Sequence, residues 1–232
     1  MVSKLLEQKK IKSKKTLVYD QIKEEIINNR IAPGTPLIER QICAALKTSR
    51  TPVREALQRL AADGLVDIIP RRGVIVSDIT TDDLYDIYDI RIVLEILAVK
   101  RCIERITDQG IMQMQQILEG MRDSLEKKEF KQFILYDRSF HSLIVDIADN
   151  PRLKKILKNM NDHIERITFL IYGDEQRMLQ SISQHTNVFE AISNRDSGKG
   201  EKAIQDHLNS TILYHEAQLK RRHGFISIIN QP

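Results

Sequence analysis

Apolar residues recur at helical spacing along most of the chain, and proline, glycine and short polar runs interrupt them. The first periodic segment predicts a helix over about residues 16–30, which ends at the IAPGTPL stretch. Two shorter helices are predicted over residues 38–46 and about 50–62, with Ser49 as the N-cap of the second. Three short helices in this order favour a helix-turn-helix.

The pattern changes after residue 64, where two β-rich runs, LVDII and VIVSDI, flank a Pro-Arg-Arg-Gly tip. Such runs on either side of a turn-forming stretch predict a β-hairpin. Three helices followed by a two-stranded wing predict a winged helix-turn-helix over residues 1–78. In that fold the third helix lies in the DNA major groove.

Beyond this wing the chain shows helical periodicity only, which predicts a mainly α protein with an antiparallel all-α bundle over residues 79–232. Breaks are expected at Gly110 and at residues 150–151, 172–173 and 196–198. The six bundle helices are predicted at about residues 82–105, 108–127, 129–148, 151–172, 175–194 and 199–222.

Composition argues against a membrane protein. The 232 residues are 41% hydrophobic and 29% charged, which is ordinary for two domains that each bury a core. No apolar run approaches the roughly 18 to 20 residues of a membrane span. The first residues carry lysines but no apolar stretch or cleavage site of a secretory signal, so a cytoplasmic location is expected.

Charge is spread unevenly along the chain. Residues 1–78 hold 15 Lys and Arg against 9 Asp and Glu, a net charge of +6, whereas residues 79–232 carry a net −2. This asymmetry predicts that the N-terminal part meets a polyanion. Within it, SRTPVREALQRL places Arg50 and Arg54 on one helical face, opposite an apolar stripe. The lysines of the N-terminal tail either add attraction for phosphates or are merely solvated: Lys9, Lys10, Lys12, Lys14 and Lys15.

Ionisable residues occupy apolar positions of the bundle. Asp137 and His141 lie four residues apart on the inward stripe of the third bundle helix, a spacing at which two ligands share a metal ion. His185 and His207 take inward positions on the fifth and sixth helices. These four residues predict a site for a divalent transition metal, namely zinc, nickel or manganese. A buried hydrogen-bonded network is the alternative.

Further polar residues of the bundle are candidates for effector binding, for an internal ion pair or for contact with solvent. Arg91 is predicted to face inward, where it either binds the carboxylate of a small effector or pairs with Glu95 one turn later. His163 borders an apolar stripe and is a further candidate for effector binding. His215 and His223 lie near the C-terminal end and are predicted to be solvated.

Two parts of the sequence carry a family resemblance. The segment LIERQICAALKTSRTPVREALQRLAADGLVDIIPRRGVIV resembles the winged helix of GntR-type bacterial transcription regulators. The later segments YDRSFHSLIVDIADNPRL, QHTNVFEAISNRD and DHL resemble the FCD ligand-binding domain of the FadR branch, in its six-helix VanR-like subgroup. The resemblance covers the chain after about residue 16.

The resemblance implies a homodimeric repressor that binds a pseudo-palindromic double-stranded DNA operator and responds to a small organic acid effector. It matches Asp137, His141, His185 and His207 to metal ligands, and Arg91 to the residue that receives the effector's carboxylate. It also implies the DNA-contacting residues, which are Arg40, Ser49, Arg50, Thr51, Arg54, Arg71, Arg72 and Gly73.

The sequence departs from this family at two positions. Lys47 stands where the turn commonly has glycine, and Gln184 stands before His185 where glutamate is usual. The second change removes a carboxylate next to a ligand. Two other functions stay open from the residues: a metal-dependent hydrolase-like helical enzyme, and a non-sensing DNA-binding protein with a structural metal.

Overall fold

The computed structural model describes residues 13–171 and 174–229, and the chain divides into two compact units, Met1–Asp78 and Ile79–Pro232. No described helix is long and apolar enough to cross a membrane. The elements in chain order are α1 (Lys14–Ile27), α2 (Glu39–Ala45), α3 (Arg50–Ala62), β1 (Val66–Ile69), β2 (Gly73–Val76), α4 (Thr81–Arg105), α5 (Asp108–Glu126), α6 (Phe130–Ile147), α7 (Pro151–Ile171), α8 (Glu175–Ser193) and α9 (Ser197–Ile229).

The first unit is a winged helix-turn-helix, as predicted. Its helix α1 begins two residues earlier than expected because the Ser13 hydroxyl accepts a hydrogen bond from the Thr16 N–H at 3.3 Å. The helix ends at Ile27, and Asn29 has a left-handed φ of +52°. Apolar faces of α1 and α3 pack together over a core that includes Val18, Ile22, Ile26, Val53, Leu57 and Leu60.

The wing is a short antiparallel hairpin. Val66 pairs with Val76 and Ile69 with Gly73, so the tip consists of residues 70–72. Earlier in the unit, Lys47 adopts a φ of +47°, a left-handed conformation that glycine takes without strain. Lys47 therefore takes, in the turn between α2 and α3, the kind of backbone conformation that a glycine would favour.

The second unit contains six helices in its described residues, the number predicted. Thr80 caps α4 in a reciprocal arrangement, because its hydroxyl accepts from the Asp83 N–H at 3.0 Å and the Asp83 carboxylate accepts from the Thr80 N–H at 3.1 Å. The break expected at Gly110 is wrong. Thr107 begins α5 by accepting the Gly110 N–H at 3.2 Å, which places Gly110 inside the first turn.

The last helix is longer than predicted, since α9 begins at residue 197 and continues past residue 222. It packs along α4, with Gly200 at the crossing. A Cβ at Gly200 would lie 2.8 Å from Ile103 Cδ1 and 3.0 Å from Val99 Cγ1. The two helices approach this closely because residue 200 has no side chain. The break expected at residues 172–173 falls outside the described residues.

Candidate DNA-binding face and metal centre

Helix α3 has one buried and one exposed face. Val53, Leu57 and Leu60 are buried, as the apolar stripe predicts. Arg50 and Arg54 are exposed at the N-terminal end of the same helix. Ser49 takes the N-cap position, but its hydroxyl makes no capping hydrogen bond, which leaves it open to solvent.

Arg54 has a carboxylate partner on the neighbouring helix. Its Nε donates to both carboxylate oxygens of Glu39, each at 2.9 Å, so the side chain is held from α2. Its terminal nitrogens have no hydrogen-bond partner among the described residues. They are therefore free to donate in parallel to a guanine edge, for which a guanidinium is suited.

The remaining predicted DNA contacts are all at the surface. Thr51 is exposed in the first turn of α3 and Arg40 is exposed on α2. The hairpin tip exposes Arg71, Arg72 and Gly73, and positive φ angles of +66° at Arg71 and +91° at Gly73 form its tight turn. Lys14 and Lys15 lie in the exposed first turn of α1, whereas the other tail lysines fall outside the described residues: Lys9, Lys10 and Lys12.

In the second unit, three histidines from three helices meet in the core. His141 on α6, His185 on α8 and His207 on α9 each offer one ring nitrogen, and these three nitrogens lie within 4.8 Å of one another. The Nε2 atoms of His141 and His185 are 3.3 Å apart. Asp137, one turn before His141, places Oδ1 3.4 Å from the His185 Nε2. The structure thus brings together all four residues that the sequence singles out.

Each imidazole is held from behind by an oxygen atom. The Nδ1–H of His141 donates to Glu95 Oε2 at 2.6 Å, and that of His185 donates to the backbone carbonyl of Ser181 at 2.7 Å. The Nδ1–H of His207 donates to Gln184 Oε1 at 3.0 Å. Such acceptors fix the tautomer in which Nε2 has a free lone pair, as they do behind metal-bound histidines. The donor set therefore fits a divalent transition metal.

The ionisation states favour the same interpretation. Burial lowers the pKa of His185 to about 4, although the nearby Asp137 carboxylate raises it, and burial lowers the pKa of His207 well below its ordinary value. Burial acts to raise the pKa of Glu95, but the Arg91 guanidinium and other partners bring it down to about 2. Low pKa values of His185 and His207 favour their neutral imidazoles, and the lowered pKa values of Glu95 and Asp137 favour carboxylates, which are the forms that bind metal.

A cavity lies beside the three histidines. The charged and imidazole side chains that line it are those of Arg91, Asp137, His141, Arg177, His207 and His215. Arg91 is buried and its Nε donates to Glu95 Oε1 at 2.5 Å, so the pairing considered as an alternative is present. Glu95 consequently bonds to Arg91 and His141 at once.

Two histidine predictions differ from the structure. His163 is half-buried on α7 and is not among the residues that line the cavity; Ile164 and Thr168 line it from that helix. His215 is buried rather than solvated, and its Nδ1 lies 3.3 Å from the Tyr88 hydroxyl. The side chain of His223 falls outside the described residues.

Sequence analysis did not identify Arg177 as a residue of the site. The signal that could have identified it is a four-residue spacing that leads to His185. Residues 177, 181 and 185 form one row on α8, beside the apolar row that marked His185 as inward. Residues 207, 211 and 215 form the equivalent row on α9. A helix that borders a cavity can present polar residues on the row next to its apolar row.

Comparisons with known proteins agree with this architecture. Residues 14–76 match the family model for bacterial regulatory proteins of the gntR family, and residues 86–210 match the model for the FCD domain. The chain belongs to the GntR family. It is a DNA-binding transcription regulator with an FCD domain and not an enzyme, which removes the hydrolase alternative.

Named relatives of this GntR-family regulator include repressors. It is 31% identical to the HTH-type transcriptional repressor RspR of Escherichia coli K12 over 82% of this chain and 84% of that protein. It is 29% identical to the gluconate operon transcriptional repressor of Bacillus licheniformis over 76% of this chain and 74% of that one. The solved structure of E. coli McbR/YncC shares the fold, with a TM-score of 0.79 at 23% identity over 90% of this chain and all of that one.

Proposed function

We propose that this GntR-family regulator is a metal-dependent repressor whose affinity for its operator is controlled by a small carboxylate effector bound in the FCD domain. The observation that carries the proposal is the set of three buried histidines, each held at Nδ1, beside a cavity that contains guanidinium groups. Repression is the expected sense of control because the relatives named above are repressors.

On the DNA side, we expect Arg50 and Arg54 to contact bases directly from α3, the recognition helix. Arginine donating to guanine is the commonest specific contact in the major groove. Arg40, Ser49 and Thr51 are assigned backbone or base contacts near the same helix end. Residues 71–73 of the wing tip contact the minor groove or the phosphate backbone.

On the effector side, His141, His185, His207 and Asp137 would hold a zinc, nickel or manganese ion. When bound, the ion supplies a positive centre that attracts a carboxylate. The chain's own residues orient the imidazoles through their Nδ1 hydrogen bonds and shield them from bulk water. Effector binding then changes operator affinity to the extent that the effector binds one functional state more tightly than the other.

A homodimer completes the proposal, because a pseudo-palindromic operator requires two recognition helices. Three apolar residues on α4 are exposed in the single chain and lie on one face of the helix: Ile90 at 50%, Val93 at 66% and Leu97 at 39%. Burying such a stripe against a second copy is favourable because apolar surface leaves water.

The test removes the metal ligands. Full-length protein purified without a chelator or histidine tag is expected to contain about one divalent metal ion per chain, measured by mass spectrometry. The double variant His141→Ala/His185→Ala should lose that metal, whereas His163→Ala, on a half-buried histidine outside the cavity, should keep it.

Operator control is measured on the same three proteins. An operator is first selected from random DNA by repeated binding, and its affinity is followed by fluorescence anisotropy across a panel of small carboxylic acids. At least one acid should weaken binding by the wild type and by His163→Ala, but not by the double variant. Full metal content in the double variant, or an unchanged acid response, would refute the proposed sensor.

A further inference from the structure

Arg177 on α8 is a buried cation whose hydrogen bonds within the described part of the chain go to neutral side chains. The residue is 8% exposed, and its guanidinium donates to Thr211 Oγ1 at 2.6 Å, to Gln180 Oε1 at 3.3 Å and to Gln184 Oε1 at 3.3 Å. The nearby Asp174 accepts the backbone N–H of Arg177 at 3.2 Å instead of its guanidinium. Among the described residues, no carboxylate lies within ion-pair distance of Arg177.

Arg91, the other buried arginine of the cavity, differs in this respect. It has Glu95 as an ion-pair partner. A buried charge that lacks such a partner is costly, and the cost is relieved when a ligand supplies the opposite charge. Arg177 is therefore the guanidinium of this cavity that is available to a bound anion.

Gln184 explains why Arg177 lacks a partner. Its side-chain oxygen accepts from both Arg177 and His207, but an amide is neutral. A glutamate at position 184 would place a carboxylate within reach of the same guanidinium. The glutamine found here therefore leaves the positive charge of Arg177 to a molecule from outside.

Arg177 and the histidines face the same space. Arg177 and Ser181 lie two turns and one turn before His185 on α8, respectively, and both line the cavity, as do Thr211 and Tyr214 of α9. The Arg177 guanidinium carbon lies 5.5 Å from the centre of the Tyr214 ring. A small molecule beside the histidines is consequently also beside Arg177.

The charges of the cavity define the ligand. The two guanidiniums of Arg91 and Arg177 are balanced by the two carboxylates of Glu95 and Asp137. Histidines that bind a metal are neutral. A divalent ion would therefore give the cavity a surplus of two positive charges, which a ligand with two negative charges neutralises.

We propose that Arg177 is a second anion-binding residue of the effector site and that the effector is a small dicarboxylate, with one carboxylate at the histidine centre and the other on Arg177. This inference rests on the proposed metal-dependent effector site and adds the class of effector. A monocarboxylate would leave Arg177 without a partner and should bind more weakly.

The experiment uses zinc-loaded, full-length protein and calorimetric titration. The probes are unbranched dicarboxylates of three to six carbons, each compared with the monocarboxylate of the same chain length. At least one dicarboxylate should bind tenfold or more tightly than its matched monocarboxylate. Arg177→Gln should reduce that ratio to about one with zinc content unchanged, and Arg177→Lys, which keeps the charge, should retain most of it.

Two more variants test whether the affinity ratio depends on Arg177 itself or on removing any arginine. Gln184→Glu should also lower the ratio, because it gives Arg177 an internal partner, and its zinc content is measured alongside. Arg122→Gln is the matched control, since Arg122 donates to a threonine hydroxyl on α8 at 3.3 Å but is exposed and outside the cavity. Its ratio should equal that of the wild type.

The outcomes are distinguishable. Equal affinity for the two classes of acid in the wild type, or an unchanged ratio in Arg177→Gln, overturns the dicarboxylate inference and leaves the metal-dependent sensor standing. Failure of every acid to bind the zinc-loaded protein counts against the effector site as a whole. If Arg177→Gln misfolds, the affinity ratio of Gln184→Glu decides the inference, because that variant keeps Arg177.

Discussion

At the scale of single residues, the proposed DNA-binding face depends on how Arg54 is held. Glu39 holds Nε from the neighbouring helix, and the terminal nitrogens make no hydrogen bond among the described residues. The Arg54 side chain is 61% exposed, so solvent screens the ion pair and the pair adds little to the stability of the fold. We expect the pair to orient the guanidinium for base recognition.

Arg54→Ala should weaken binding to the selected operator by about 1 to 3 kcal/mol and relax base preference at one position of each half-site. Fluorescence anisotropy on single-base operator variants, at one fixed salt concentration, measures both effects. Arg59→Ala is the control, because Arg59 lies on the same helix but stacks on Tyr19 at 3.7 Å. Its base preference should be that of the wild type. An unchanged preference in Arg54→Ala would remove this residue from the interface.

The residues of the candidate metal centre could be found from the sequence because histidine is unusual on an apolar stripe. His141, His185 and His207 each break such a stripe, and the fold brings them within 4.8 Å of one another. Arg177 and His215 could not be found this way. They lie on the row next to the stripe, and only the presence of a cavity shows that this row is also buried.

At the scale of elements, a helix end could be predicted where a neighbouring side chain caps the helix. It could not be predicted where packing between helices determines the end. Thr80 and Asp83 form a cap that the sequence nearly dictates. Gly110 was misplaced as a break because its N–H bonds to Thr107, so the glycine begins a helix there. Periodicity also did not give the end of α9, which continues past residue 222.

The contact between α4 and α9 gives an element-scale prediction. Gly200→Ala should lower the free energy of unfolding by about 1 to 3 kcal/mol, because the added Cβ would meet Ile103 and Val99 at 3.0 Å or less. Gly198→Ala is the matched control. Gly198 lies two positions earlier in α9 but in open surroundings, where an added Cβ would have Asp196 Oδ1 as its nearest atom, at 3.8 Å.

The control should leave stability unchanged or raise it by up to about 1 kcal/mol, because alanine is the better helix former. Thermal unfolding of the three proteins, followed by circular dichroism under one condition, measures the difference. If the two variants shift the midpoint equally, the close approach of α4 and α9 does not limit packing at residue 200.

At the scale of the whole molecule, the DNA-binding unit carries a net charge of +6, and the proposed metal and effector site lies in the other unit. This division was predictable from charge counts and from the change in periodicity. What covers the exposed apolar stripe on α4 could not be predicted. An apolar residue on a helix gives the same sequence pattern whether it faces the core or a second chain.

Val93→Glu/Leu97→Glu should convert the proposed homodimer into a monomer, because burying two carboxylates in an apolar contact is strongly unfavourable. Light scattering during gel filtration should then give 26.9 kDa, the mass of one chain, in place of twice that mass. Leu179→Glu, at an exposed leucine of α8, is the control and should remain dimeric. A double variant that keeps the dimeric mass would place the interface elsewhere.

Glu95 has a further consequence, which concerns how such a site can evolve. Its two oxygens serve different residues, Arg91 and His141, so its replacement would leave a buried guanidinium and a buried imidazole without acceptors at the same time. Replacing Glu95 alone is therefore expected to be strongly destabilising. A descendant that loses the proposed metal site is expected to change all three residues together, so these positions should be inherited or lost as one unit.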